Sequence, residues 1–254
     1  EDMTDANKKE ALLDNIVTIR SSGGTPLRQS LEAVGEYFIK GTSAPARLNI
    51  GGANSPILSE ADGGACQQNF VMLMTDGQWN GNSPNVGEQD NVTDNIMVYP
   101  AHRDTTANTL ADVAMKWFKT DLAPALDSDV PTQTGDNKLN LDQNDEQHLV
   151  TFGVAFGPTG TLSQGPADRT QAFVWPVPSS DDIETVDDLR HAAYNGRGLF
   201  LSASKPDELT TALTDVIANI ESRQGSSSAV AFNMSALSTD TVLYFAGFDT
   251  ANWT

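Results

Sequence analysis

Residues 70–74 form an unbroken apolar run that ends in Thr75, Asp76 and Gly77. A strand that is covered on both faces is apolar throughout, whereas a half-exposed strand alternates between apolar and polar residues. The run therefore predicts a fully buried parallel strand. Ligands of open α/β sheets bind beyond the carboxyl ends of the strands, so the carboxylate of Asp76 is a candidate for chemistry.

The rest of the chain alternates between helical patterns and two further apolar segments. The segments at residues 149–156 and 199–203 predict two more buried strands. Apolar positions at helical spacing predict helices over residues 8–20, 26–39, 110–118 and 185–195, and from residue 206 onward. This order predicts a parallel sheet with right-handed crossovers, flanked by helices. A strand as apolar as residues 70–74 needs neighbours on both sides, so we expect it in the centre of the sheet.

Two glycines precede Thr25 and Pro26. Proline in the first helical turn, with threonine just before it, is typical of a helix start. Two roles are open for Thr25. Its hydroxyl can cap the helix by accepting a backbone N–H, or it can serve as one of the oxygen ligands that hard cations prefer.

Similar signals mark the ends of two later helices. Asn108 or Thr109 can cap the helix that follows them. Asp188 is placed to complete a capping box in the helix of residues 185–195, and Gly196 or Gly198 is expected to end that helix.

Composition narrows the classes of function. The net charge of −19 argues against nucleic-acid binding, because neutralising phosphates requires an excess of lysine and arginine. No apolar run approaches the about 18 residues of a membrane span. Cys66 is the only cysteine, which excludes a disulfide within this segment. Cys66 is either a small residue before a strand or half of a disulfide whose partner lies outside the sequence.

The two glycines with Thr25, followed by a strand that ends Thr75-Asp76-Gly77, resemble the second and third parts of the metal-ion-dependent adhesion site of von Willebrand factor A domains. Further stretches resemble the PilY family of adhesins associated with type IV pilus tips. These stretches are Gln67–Asn80, Asn108–Met115, His148–Phe152, Trp175-Pro176, Asp188–Ala193 and Asn195–Gly198. The resemblance implies that Thr25 and Asp76 are ligands of a divalent cation, Mg²⁺ or Ca²⁺.

The resemblance also implies a domain organisation. It implies an α/β fold of the von Willebrand factor A (Rossmann-like) type over residues 1–223, a linker at 224–228, and the start of a β-propeller-like domain at 229–254. The first strand of that fold carries the motif Asp-x-Ser-x-Ser, which occurs nowhere in this sequence. We therefore expect that the sequence lacks the N-terminal strands of its own domain and part of the metal site.

The implied function is non-enzymatic. The family resemblance implies cell-surface adhesion and type IV pilus assembly and retraction, with a location at the extracellular pilus tip of a bacterium. The implied partners are minor pilins of the tip or a host or surface ligand, together with a C-terminal β-propeller of the same polypeptide. The alternatives are a von Willebrand A subunit of a metal-chelatase-type complex and a secreted hydrolase.

Other polar groups are weaker candidates. Six carboxylates gather in residues 127–146, but their spacing does not match an EF-hand loop, so a solvated acidic loop is expected there. His102, His148 and His191 are too far apart in sequence for a catalytic or zinc motif. His191 lies on a predicted helix face and is expected to be a packed or capping histidine.

Overall fold

The structure is a computed structural model that describes residues 6–18, 20, 23–43, 45, 54–91, 98–133 and 141–225. Strands β1 (Asn69–Thr75), β2 (Leu149–Phe156) and β3 (Arg197–Ala203) form one sheet. The helices of the described part are α1 (Ala6–Thr18), α2 (Leu27–Phe38), α3 (Leu110–Lys119), α4 (Glu184–Asn195) and α5 (Pro206–Gly225). Short 3₁₀ helices lie at Glu60–Asp62, Gly64–Cys66 and Pro100–His102.

The sheet is parallel, with the strand order β1-β2-β3. Asn69 pairs with Leu149 at the start of β1, and Thr75 pairs with Ala155 at its end, so the carboxyl ends of β1 and β2 lie side by side. Helices pack on both faces. The prediction of an α/β parallel sheet flanked by helices is confirmed, and the arrangement is consistent with the Rossmann-like fold of von Willebrand factor A domains.

The two faces of the sheet have separate hydrophobic cores. Helices α2, α3 and α4 cover one face, where Leu73 of β1 and Leu149 of β2 pack against Leu110 and Leu189. Helix α5 covers the other face, where Val216 packs among the apolar side chains of β2 and β3. Side chains alternate along a strand, so a single strand supplies both cores.

The expectation that β1 is fully buried and central is wrong for the described chain. Strand β2 is the central strand, and β1 lies at the edge of the described sheet. Met72 and Met74 are 43% and 56% exposed. Both lie on the face that α5 covers, but α5 packs on β2 and β3 and leaves the outer half of β1 open. That a further strand pairs with β1 stays a prediction.

Helix α1 differs from its prediction in packing. The apolar positions at helical spacing do form a helix, but none of its residues is buried. Leu12, Leu13, Ile16 and Val17 are all exposed. In this structure the apolar side of the helix therefore contributes nothing to either core.

Two of the three predicted helix-end signals are confirmed. Thr109 caps α3 in a reciprocal capping box with Asp112, and Gly196 is the residue that ends α4. The capping box predicted for Asp188 is wrong, since no side chain caps the start of α4. Asp188 is instead buried and accepts hydrogen bonds from the amides of Leu110 and Ala111, so it serves the first turn of α3.

The C-terminal predictions fall partly outside the described residues. Helix α5 runs through Gln224 to Gly225, so the first two residues of the predicted linker are helical. The rest of that linker and the predicted β domain at 229–254 lie outside the described residues. Among the helices that are described, none is both long and apolar enough to cross a membrane.

Candidate functional site

A cleft of about 330 Å³ lies at the carboxyl ends of β1 and β2. It is lined by Thr25, Met74, Thr75, Asp76, Phe156 and Leu209. The structure thus brings Thr25 and Asp76, which are 51 positions apart in sequence, to the walls of one cavity. Its position matches the rule that ligands of open α/β sheets bind beyond the carboxyl ends of the strands.

Asn80 holds the loop that carries Thr25. Its side-chain Oδ1 accepts a hydrogen bond from the Thr25 amide at 2.8 Å, and its own amide donates to the Thr25 carbonyl at 3.0 Å. Gly24 is required here, because a Cβ at that position would lie 2.4 Å from Asn80 Oδ1. The role of Asn80 was not predicted from the sequence. The pair of glycines before Thr25 indicates only that another part of the chain comes close to the backbone there.

The capping role of Thr25 is not observed. Helix α2 begins at Leu27, Pro26 takes the capping position, and none of the described side chains caps the helix. Thr25 is half-buried at the wall of the cleft. Its hydroxyl is therefore not committed to the helix start and can act as an oxygen ligand.

Asp76 is exposed at the mouth of the cleft. The turn after it is closed by Thr75, whose hydroxyl donates to the Gly77 carbonyl at 3.1 Å and accepts from the Gly77 amide. Within the described residues, no hydrogen bond or ion pair engages the Asp76 carboxylate. A carboxylate and a hydroxyl on one cleft are ligands of the kind that Mg²⁺ or Ca²⁺ binds, with water or a partner completing the coordination.

A second group of polar side chains, not predicted from the sequence, lies buried between the loop of residues 78–107 and helices α3 and α4. We call it the buried cluster; its members are Glu88, Asp90, Asp104, Asp112 and His191. Burial raises the pKa of Asp90 to about 9 and that of Asp112 to about 7. Burial lowers the pKa of His191 to about 3. No spacing motif connects these residues, since a long loop brings most of them together.

Asp188, at the edge of the same region, has a structural role. Its Oδ2 accepts hydrogen bonds from Trp79 Nε1 and from the Leu110 amide, both at 2.9 Å. Burial raises its pKa to about 6, although these hydrogen bonds act in the opposite direction. A carboxylate at the first turn of α3 also interacts favourably with the helix dipole.

The expectation of a solvated acidic loop at residues 127–146 is wrong for Asp142. Asp142 is buried and contacts His148 Nε2 at 3.0 Å and Arg223 Nη1 at 3.1 Å. Asp127, Asp129 and Asp145 are exposed, as expected. The Asp142 carboxylate is therefore already engaged by His148 and Arg223, and its contact with Arg223 helps to hold α5 against the rest of the fold.

Cys66 is a free, exposed thiol at the end of a 3₁₀ helix, and its Sγ lies 3.4 Å from the Gly63 carbonyl. It is separated from β1 by two residues, which fits the expectation of a small residue before a strand. The alternative of a disulfide with a cysteine outside the sequence stays a prediction.

No protein-family model and no solved structure matches this chain. The type IV pilus biogenesis factor PilY1 of Pseudomonas aeruginosa strain PAO1 is 32% identical over 248 residues, which cover 87% of this chain and 21% of the relative. PilY1 of strain PAK is 32% identical over 247 residues, covering 86% of this chain and 21% of the relative. The chain thus spans about one fifth of the length of the curated relatives that it matches. By this similarity the chain belongs to the PilY family.

Proposed function

We propose that this chain acts in type IV pilus biogenesis and surface attachment, as a non-enzymatic module that binds an acidic group of its partner through a divalent cation. The relatives support the first part, since they are named type IV pilus biogenesis factors. The observation that carries the second part is the cleft at the carboxyl ends of two parallel strands, which is lined both by an exposed carboxylate and by a threonine that does not cap helix α2.

The residues of the cleft have separate roles in this proposal. Asp76 supplies the negative charge that holds Mg²⁺ or Ca²⁺, and Thr25 supplies a neutral oxygen. Asn80 positions Thr25 through two hydrogen bonds to its backbone. When bound, the cation supplies a positive charge with an open coordination position for an acidic group of a partner.

The charge of the chain explains why a cation would be needed. With a net charge of −19, the protein repels an acidic partner. A divalent ion between the Asp76 carboxylate and a partner carboxylate turns that local repulsion into attraction. We propose minor pilins of the tip or a surface ligand as partners, a β-propeller of the same polypeptide as a neighbour, and the extracellular pilus tip as the location.

The experiment replaces Asp76 in the intact protein and measures surface attachment and pilus assembly of cells that produce it. Asp129→Ala is the matched control, because Asp129 is also exposed but lies beside Ala65, near the opposite end of β1. We expect Asp76→Ala to reduce attachment to the level that the parent shows in chelator, while Asp129→Ala leaves it unchanged. Equal attachment by both variants, at equal protein levels, would overturn the proposed role of the cleft.

A further inference from the structure

We propose that the buried cluster contains a second cation site, separate from the cleft, in which Asp90, Asp104 and His191 bind a first-row divalent metal such as Mn²⁺ or Zn²⁺. One carboxylate oxygen from each aspartate and one ring nitrogen of His191 all lie within 4.8 Å of one another. The site joins the loop of residues 78–107 to helix α4, so a bound ion would crosslink two parts of the fold.

The orientation of His191 is the first support. Its Nε2 lies 2.6 Å from the backbone carbonyl of His102, which can only accept a hydrogen bond, so Nε2 carries the proton. Burial keeps the ring neutral. Nε2 also lies 3.4 Å from Asp90 Oδ2, whereas Nδ1, which keeps its lone pair, lies 3.6 Å from Asp104 Oδ2, another acceptor. Metal-binding histidines characteristically donate their other ring N–H to a carbonyl or carboxylate in this way.

The ring of His191 is also held in place by an aromatic neighbour. Trp175 stacks on it with a centroid distance of 4.0 Å and an interplanar angle of 9°. The Trp175 indole is in turn fixed by a hydrogen bond of 2.9 Å from its Nε1 to the Ala101 carbonyl. The ring therefore cannot turn away from Asp104 without disturbing this packing.

Asn195 provides a second, independent observation. It is fully buried, and its Nδ2 donates to Asp90 Oδ2 at 2.7 Å and to the Ala111 carbonyl at 3.3 Å, while its Oδ1 has no hydrogen-bond partner among the residues that the structure describes. A buried amide oxygen without a donor is costly. A cation beside Asp90 would satisfy it.

The remaining members of the cluster, Glu88 and Asp112, contribute negative charge around the proposed site. Asp112 already accepts hydrogen bonds from the amides of Thr109 and Gln89, and Glu88 accepts from the amides of Asp90 and Asn91. Both nevertheless have a carboxylate oxygen within 4.8 Å of one of Asp90. The concentration of carboxylates favours a cation and suits Mn²⁺, while the imidazole favours Zn²⁺ over Mg²⁺ or Ca²⁺.

The experiment measures metal content and metal affinity of the intact protein after removal of metals with chelator. Asp104→Asn keeps the shape of a half-buried side chain, and His191→Gln removes the nitrogen ligand. His148→Gln is the matched control, because His148 is also a buried histidine next to an aspartate but lies outside the cluster. Asp76→Ala controls for the cleft.

We expect the parent and His148→Gln to bind one more Mn²⁺ or Zn²⁺ per chain than Asp104→Asn and His191→Gln, and Asp76→Ala to bind one more than the double variant Asp76→Ala/Asp104→Asn. Where the site still binds, its affinity should fall at least about 100-fold in the two cluster variants. If His191→Gln does not fold, Asp104→Asn decides. Equal stoichiometry and affinity in the parent and Asp104→Asn would overturn the proposal. The carboxylates of the buried cluster would then be connected by shared protons and not by a metal ion. Since Asp76→Ala is part of the series, loss of the cleft site and loss of the cluster site give different results.

Discussion

The two roles that the sequence leaves open for Thr25 differ in which atoms its hydroxyl contacts. Sequence spacing predicts a capping residue as readily as a metal ligand, because both need an oxygen at the same place. In the structure the backbone of Thr25 is held by Asn80, and no side chain of the described part of the chain caps α2. Asn80 lies 55 positions away, so local sequence could not distinguish the two roles.

Replacement of Thr25 by alanine is therefore expected to leave folding stability almost unchanged, with a loss under about 0.5 kcal/mol. Thr109→Ala is the control, because the Thr109 hydroxyl accepts a hydrogen bond from the Asp112 amide and caps α3. Its loss should cost about 1 kcal/mol. Denaturant melts in chelator measure both. A loss for Thr25→Ala as large as that for Thr109→Ala would mean that Thr25 is a cap after all.

A pH-dependent contribution to stability is predicted for Asp142. Burial alone would raise its pKa, but interactions with His148 and Arg223 outweigh burial and hold it below the ordinary value of 3.8. The folded state then binds this proton less readily than the unfolded state does. The resulting stabilisation is complete above the ordinary pKa and is lost as the pH falls through the lower pKa of the folded state.

Asp142→Asn should accordingly cost about 3 to 5 kcal/mol at neutral pH, because it leaves Arg223 buried without its anion. The difference between parent and variant should shrink as the pH falls below 3.8. The exposed Asp145 offers the control Asp145→Asn, which should stay within about 0.5 kcal/mol of the parent. Denaturant melts between neutral pH and pH values below the ordinary pKa measure this. If the stability difference between the parent and Asp142→Asn does not change with pH, the lowered pKa assigned to Asp142 is wrong.

At the scale of elements, the sequence predicts much of the fold because the relevant signals are local. The predicted strand at residues 149–156 has the same bounds as β2, and the predicted helices correspond to α1 to α5 within a few residues. The position of β1 and the contacts of Asp188 could not be predicted in this way. Both depend on which distant elements lie next to them, and periodicity carries no information about that.

Asp188 connects two elements and gives a prediction of its own. Asp188→Ala would leave Trp79 Nε1 and the amides of Leu110 and Ala111 without an acceptor in the core. We expect a loss of at least about 3 kcal/mol, since each buried unsatisfied donor costs about 1–3 kcal/mol and the costs are not fully additive. Hydrogen exchange in denaturant-free buffer should show faster exchange at the first turn of α3. Faster exchange at the first turn of α4 alone would instead indicate that Asp188 caps its own helix.

At the scale of the whole molecule, the most conspicuous exposed apolar surface on the sheet is the outer half of β1. Met72 and Met74 are exposed there, at an edge strand that pairs only with β2 among the described residues. Exposed apolar edge strands promote association between chains. The high negative charge of the chain opposes association, but this repulsion is spread over the whole surface and is not concentrated at the edge of β1.

The 254-residue chain on its own is therefore expected to self-associate as its concentration rises. The double substitution Met72→Lys/Met74→Lys should reduce self-association, because charged side chains protect an edge strand from pairing. Ile217→Lys is the control, because Ile217 is 54% exposed but lies on α5. Sedimentation velocity at several concentrations measures the effect. A chain that stays monomeric throughout would contradict the role of this edge.

The most direct test of the proposed cation site in the cleft is calorimetric titration of the intact protein with Mg²⁺ and Ca²⁺, comparing the parent with Asp76→Ala, Thr25→Ala and Asp129→Ala. Among the described side chains that line the cleft, Asp76 is the only carboxylate, whereas Thr25 offers a neutral oxygen. Asp76→Ala should therefore lose binding at one site, Thr25→Ala should weaken that site less, and Asp129→Ala should match the parent. If Asp76→Ala binds both ions as tightly and in the same number as the parent, the ion does not sit in the cleft and the proposed mode of partner binding is wrong.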